Sequence, residues 1–161
     1  MAIDPEDLDP ENPLPSANVR AASYYLASTR IPCPHCGAIT PLTAVALAPA
    51  HETWDGESEE WQLVPANAFL FCIEAVSVTV HARLRRMAPN FSFHSSWANH
   101  CEHCERVIGE HEVHGEPGRG FTPQNEDEAA GIVLTEVAEP FEAAAAGYSL
   151  EPEFFARMRR G

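Results

Sequence analysis

A chain of 161 residues, 45% hydrophobic and carrying a formal charge of −14, is sized for one domain with a modest core. Its ten basic residues are all arginine, and only Arg83, Arg85, Arg86 and the terminal Arg157, Arg159, Arg160 cluster, which disfavours direct binding of DNA or RNA phosphates. No apolar run approaches the roughly 18 residues of a membrane-spanning helix, and Met1 to Pro15 lacks the basic and apolar regions of a signal peptide, so the expected location is cytoplasmic.

The chain begins with an acidic, proline-rich stretch in which Asp4, Glu6, Asp7, Asp9 and Glu11 stand among Pro5, Pro10, Pro13 and Pro15. Such a composition buries too little apolar surface to order itself, so residues 1–18 are expected to be a disordered tail and residues 19–161 a single domain. Ser23 to Thr29 reads as a strand and Ile39 to Leu47 as its return, forming a hairpin with Cys33-Pro34-His35-Cys36-Gly37 at its tip. Residues 49–60 read as an acidic loop edged by Trp54 and Trp61. Ala68 to Glu74 has the length of a strand, although periodicity alone does not separate it from a buried helix segment.

Ser77 is placed to cap a helix from Val78 to Met87, whose arginines fall in the last turns where the helix dipole favours cations. Phe91 and Phe93 alternate with polar residues before the chain reaches Cys101-Glu102-His103-Cys104. Beyond it, Val107 to His114 reads as a strand, Glu116 to Gly120 as a turn, and Asn125 to Glu128 as an acidic loop. Ile132 to Val137 has the period of a strand. Alanine-rich Phe141 to Ala146 predicts one or two helical turns ended by Gly147, and Pro152 opens a short C-terminal helix over Glu153 to Arg160.

Four of the five cysteines lie in two C-x-x-C pairs about 64 residues apart. A C-x-x-C turn aims two thiolates at one ion, and two such turns complete a tetrahedral shell, so Cys33, Cys36, Cys101 and Cys104 are the expected ligands of one structural Zn²⁺ per chain. A dithiol redox pair would open a helix, whereas Pro41 and the β-branched stretch after Cys36 favour a strand. Cys72 reads as a buried thiol packing as a small hydrophobe, and His35 and His103, at matching places in the two turns, as exposed or supporting residues.

His111-Glu112-Val113-His114 lacks the i, i+4 spacing of H-E-x-x-H, and on a strand the two histidines point to opposite faces. Together with His100 they define an alternative, a second metal site in a metal-dependent hydrolase. No G-x-S-x-G, Walker loop or dinucleotide fingerprint is present, and no catalytic residue is assigned.

The first turn matches in full the C-P-x-C-G knuckle of zinc-ribbon proteins, which the chain resembles; the second has Glu102 in place of the proline and Glu105 in place of the glycine. The wider layout, with Asn99 to Cys104 following an aromatic segment and preceding Val107 to Phe121, resembles a group of uncharacterised bacterial zinc-ribbon-containing proteins. That resemblance implies zinc binding without implying an activity. The expected fold is α+β: a zinc ribbon of β-hairpins with an inserted strand/helix segment and a short C-terminal helix. The expected function is a protein-interaction module (adaptor, inhibitor or immunity-type protein) that binds a partner, a basic one by charge, through its acidic surface. A nucleic-acid-associated ribbon acting through Arg83 to Arg86 is the further alternative.

Overall fold

The computed structural model describes residues 17–93, 96–109, 113–114, 120–150 and 157–160. In chain order the strands are β1 (Val19–Ala21), β2 (Tyr24–Pro32), β3 (Ile39–Leu47), β4 (His51–Asp55), β5 (Glu60–Val64) and β6 (Ala68–Val76). Helix α1 (Val78–Met87) leads to β7 (Phe91–Phe93), β8 (Trp97–His100) and β9 (Val107–Ile108). Helix α2 (Glu126–Ala130) precedes β10 (Val133–Val137), β11 (Phe141–Leu150) and β12 (Arg159–Arg160).

Nine strands form one sheet in the order β12-β10-β2-β3-β6-β11-β1-β4-β5, and β7-β8-β9 form a second. The large sheet is antiparallel except where β12 lies parallel to β10. Its central strands are covered on both faces, which is why β3 is buried without a break from Leu42 to Leu47. Successive residues of β2 and β3 serve opposite cores, as a two-residue side-chain period requires. Tyr24, Leu26, Val45 and Leu47 pack beneath Val80 and Leu84 of α1 and Trp97 of β8. Ala27, Ile31, Leu42 and Ala44 pack with Phe69, Ile108, Phe121 and Ile132 on the other face.

The helix over Val78 to Met87 forms as the sequence predicts: the Ser77 hydroxyl accepts from Val80 N–H, and Arg85 and Arg86 occupy the last turn. The α+β ribbon with a C-terminal helix does not form. The architecture is mostly strand, and the end expected to be helical contributes β12 at Arg159–Arg160; residues 151–156 lie outside the described part. Phe141 to Ala146 is not helical either. Its alanines sit in β11, hydrogen-bonded between β6 and β1, with Ala143, Ala144 and Ala145 buried. Pairing on both sides and burial outweigh alanine's helix propensity.

Two loop readings and one strand reading also change. Residues 49–60 contain β4 and the start of β5, joined by an acidic turn. Asn125 accepts from Glu128 N–H and caps α2, whose first turn is Glu126, Asp127 and Glu128, carboxylates favoured by the helix dipole. Of the strand expected from Val107 to His114 only Val107–Ile108 is seen, and residues 110–112, His111 among them, are outside the described part, as are residues 1–16 and 115–119.

Two asparagines complete the sheet where a strand leaves off. The Asn18 amide pairs with the Ala145 peptide (Nδ2 to O 2.8 Å, N to Oδ1 2.9 Å), where the β6–β11 register shifts. Asn99, 3% exposed, does the same for Thr43: its Oδ1 accepts from Thr43 N at 2.8 Å and its Nδ2 donates to Thr43 O at 2.9 Å. β3 pairs with β6 only through Ala46 and Leu47, so Thr43 has no ladder partner on that side. The Asn99 amide stands in for the missing peptide and docks the small sheet on the large one, two residues before Cys101. Asn99→Ala strands two buried backbone groups and should lower stability in urea by roughly 3 kcal/mol. A loss below about 1 kcal/mol would show that Thr43 needs no such partner.

Candidate metal centre

The two C-x-x-C turns are built alike. At the tip of the β2–β3 hairpin, Cys33 N–H donates to Ala38 O (2.8 Å), Gly37 N–H to Cys33 O (2.9 Å) and His35 N–H to Cys33 Sγ (3.3 Å). Between β8 and β9, Cys101 N–H donates to Arg106 O (3.0 Å), Glu105 N–H to Cys101 O (3.0 Å) and His103 N–H to Cys101 Sγ (3.4 Å). Both turns need a left-handed residue just after the second cysteine. Gly37 supplies it at φ 79°, and Glu105 adopts it at φ 63° despite its side chain.

These turns face each other. Cys33 Sγ lies 3.7 Å from Cys104 Sγ, Cys36 Sγ lies 3.7 Å from Cys101 Sγ, and all four sulfurs fall within 4.8 Å of one another. A tetrahedral ion with metal–sulfur bonds of about 2.3 Å separates its ligands by about 3.8 Å, so the four donors have the right kind and spacing for one ion. Cys33 and Cys101 are buried against Ile31 and Ile108, whereas Cys36 is exposed.

The second feature went unread in the sequence. With its proton on Nε2, His35 donates across the site to Val107 O (3.2 Å), and His103 donates back to Ile39 O (3.1 Å). Each acceptor lies six residues after the first cysteine of the opposite turn, so the straps repeat the approximate twofold relation of the sulfurs. The matching positions of the two histidines were the available signal. Thr40, fully buried, adds a third tie by accepting from Glu102 N–H at 3.0 Å.

The backbone donors also set the thiol chemistry. The Cys104 N–H, helped by that of His103, draws the Cys101 thiol down to about 6, and N–H donation from Cys36 and His35 outweighs burial to hold Cys33 below its ordinary value. At Cys36 the Ala38 N–H pulls downward, but burial and the three neighbouring thiols carry it up to about 11. Four thiols this close titrate as a set, and a cation bound among them would offset the crowded negative charge of the thiolates.

The histidines of the hydrolase alternative are differently placed. His100 Nδ1 lies 3.2 Å from Ser92 Oγ and 3.3 Å from Asn90 O. His114 sits among Phe71 (centroids 4.5 Å apart), Phe121 and Phe69, and burial lowers its pKa to about 4. His111 is outside the described residues. Among the described residues the cysteine tetrad is the one group of three or more side chains able to hold a metal ion. Cys72 is half-buried, with φ 48°, in β6. No protein-family model matches the chain, and neither a curated protein nor a solved structure matches it.

Backbone strain gives a paired test. A Cβ at Gly37 meets nothing within 4 Å, so Gly37→Ala should cost only the left-handed backbone, about 1 kcal/mol, and Glu105→Gly should return up to about 1 kcal/mol. Urea midpoints shifting in the same direction for both variants would contradict the assignment. A further test uses pH. The folded state holds the His114 ring neutral down to about 4, whereas the unfolded chain takes up its proton near 6.5. Stability is thus unaffected above 6.5 and falls as pH drops from there towards 4. Between pH 7 and 5 the wild type should lose about 2 kcal/mol more than His114→Phe; parallel pH profiles would refute the burial argument.

Proposed function

We propose that this protein is a protein-interaction module of the adaptor, inhibitor or immunity type, held in shape by one structural Zn²⁺ on Cys33, Cys36, Cys101 and Cys104. The observation that carries the metal half of the reading is the gathering of four sulfurs within 4.8 Å of one another, from two hydrogen-bonded turns. A four-thiolate shell leaves no open coordination position for substrate or water, so the ion would stabilise and not catalyse. Thiolates select zinc over the hard cations, which prefer oxygen donors. Cysteines free of disulfides fit a reducing, cytoplasmic setting.

The charge supports the second half of the reading. Asp55, Glu57, Glu59 and Glu60 gather at the β4–β5 turn, and a filled four-thiolate site adds a net −2, so a basic partner is the natural complement. Of the arginine patch on α1, Arg83 is held bidentately by Glu139 at 3.0 and 2.7 Å, which weakens the nucleic-acid alternative. Among the described residues His100 and His114 join no group of three or more side chains able to hold an ion, which weakens the other.

Metal analysis of the full chain should return one zinc per chain. Cys101→Ser should lose most of the zinc and melt well below wild type, because binding of the ion and folding are linked. A second tightly held ion, or a Cys101→Ser variant that melts like wild type with zinc absent, would overturn the proposal.

A further inference from the structure

The two edges of the nine-stranded sheet are finished differently. At one, Arg159–Arg160 lies along β10, with Arg159 N–H donating to Ile132 O at 2.9 Å. Met158 is buried there, Arg157 meets Glu126 at 3.4 Å, and the Arg160 guanidinium lies 5.5 Å from the Tyr25 ring centre. A basic segment with an apolar residue among its arginines has added itself as a strand.

At the other edge β5 pairs with β4 on one side, and no strand lies on its other side among the described residues. Alternate N–H and C=O groups of β5 therefore face outward, in a form that accepts another strand. Its two faces differ in chemistry. Trp61 and Leu63 share one face with Trp54 and Glu52, their register partners; the tryptophan rings meet edge-on at 5.6 Å, and Leu63 and Trp54 are 65% and 41% exposed. Glu60 and Gln62 share the other face with Asp55, and Glu57 and Glu59 extend the acidic character round the turn. The aromatic face already holds one cation: the Arg20 guanidinium lies 4.0 Å over Trp61 and 3.0 Å from Glu52.

We propose that β5 is a docking edge to which an extended basic segment of a partner protein adds as a further strand. Its alternate side chains place apolar groups on Trp54, Trp61 and Leu63 and Lys or Arg beside Asp55 and Glu60. This deepens the protein-interaction reading and rests on it. The occupant follows from charge: two chains of −14 repel one another, whereas a basic strand is attracted, and the carboxylates keep an otherwise adhesive apolar edge from pairing with itself. Main-chain hydrogen bonds supply affinity in such an addition, and the two side-chain rows supply specificity.

The test uses the zinc-loaded full chain and a capped decapeptide of alternating Arg and Val, beside the same peptide N-methylated at every second residue. Calorimetry at about 50 mM salt should show the first peptide binding at least about tenfold more tightly than the second, with amide exchange slowed at Glu60–Val64. The exposed-surface change Leu63→Asp should weaken binding of the first peptide by about tenfold. If both peptides bind equally and Glu57, Glu59 and Glu60→Gln abolishes both, strand addition fails while the acidic-surface reading survives. If neither binds at low salt, both fail. Concentration-dependent dimerisation abolished by Leu63→Asp would make a second copy the occupant and overturn the proposal.

Discussion

The structure turns on four sulfur atoms that belong to distant parts of the chain. Sulfur contacts of 3.7 Å cross between the turns, Cys33 with Cys104 and Cys36 with Cys101, so neither turn is complete without the other. An ion bridging the turns would cross-link a loop whose length removes about 4 kcal/mol of freedom from the unfolded chain by the entropic account. The tip of the long hairpin and the small sheet are the pieces so joined. Everything near the junction reinforces it: the reciprocal histidine straps, the Thr40 hydroxyl on Glu102 N–H, and the Asn99 amide on the backbone of Thr43.

How much of this could be read beforehand depended on whether a signal was local. The knuckles and α1 were legible because ligand spacing, a serine cap and terminal arginines lie within a few residues of what they determine. The β2–β3 hairpin was legible because β-branched and apolar residues flank the first knuckle. The large sheet was not. Its centre joins β6 to β11 and β11 to β1, pairings of residues far apart in sequence, and alanines buried there carry a helical preference that only their neighbours overrule. The acidic stretch around Asp55 looked like a loop because its polar residues suit solvent; it is a hairpin because Trp54 faces Trp61 across the strands. Glycine's absence at Glu105 concealed a left-handed turn that the hydrogen bonds of the second knuckle impose.

The cysteine tetrad and the proposed docking edge lie in different parts of the structure. The first knuckle extends from β2 and β3 and meets the second, between β8 and β9, whereas β5 closes the far side of the large sheet beyond β6, β11, β1 and β4, about 20–25 Å from β3 at ordinary strand spacing. An ion at the knuckles would hold the scaffold without touching a partner at β5. That separation would let a closed thiolate site coexist with an acidic, partly apolar edge.

The most direct check is zinc-edge X-ray absorption on the full-length protein purified under reducing conditions. The account predicts a single shell of four sulfurs at about 2.3 Å with no nitrogen or oxygen neighbour. A shell containing histidine nitrogen or water, or one with fewer than four sulfurs, would contradict a closed thiolate staple.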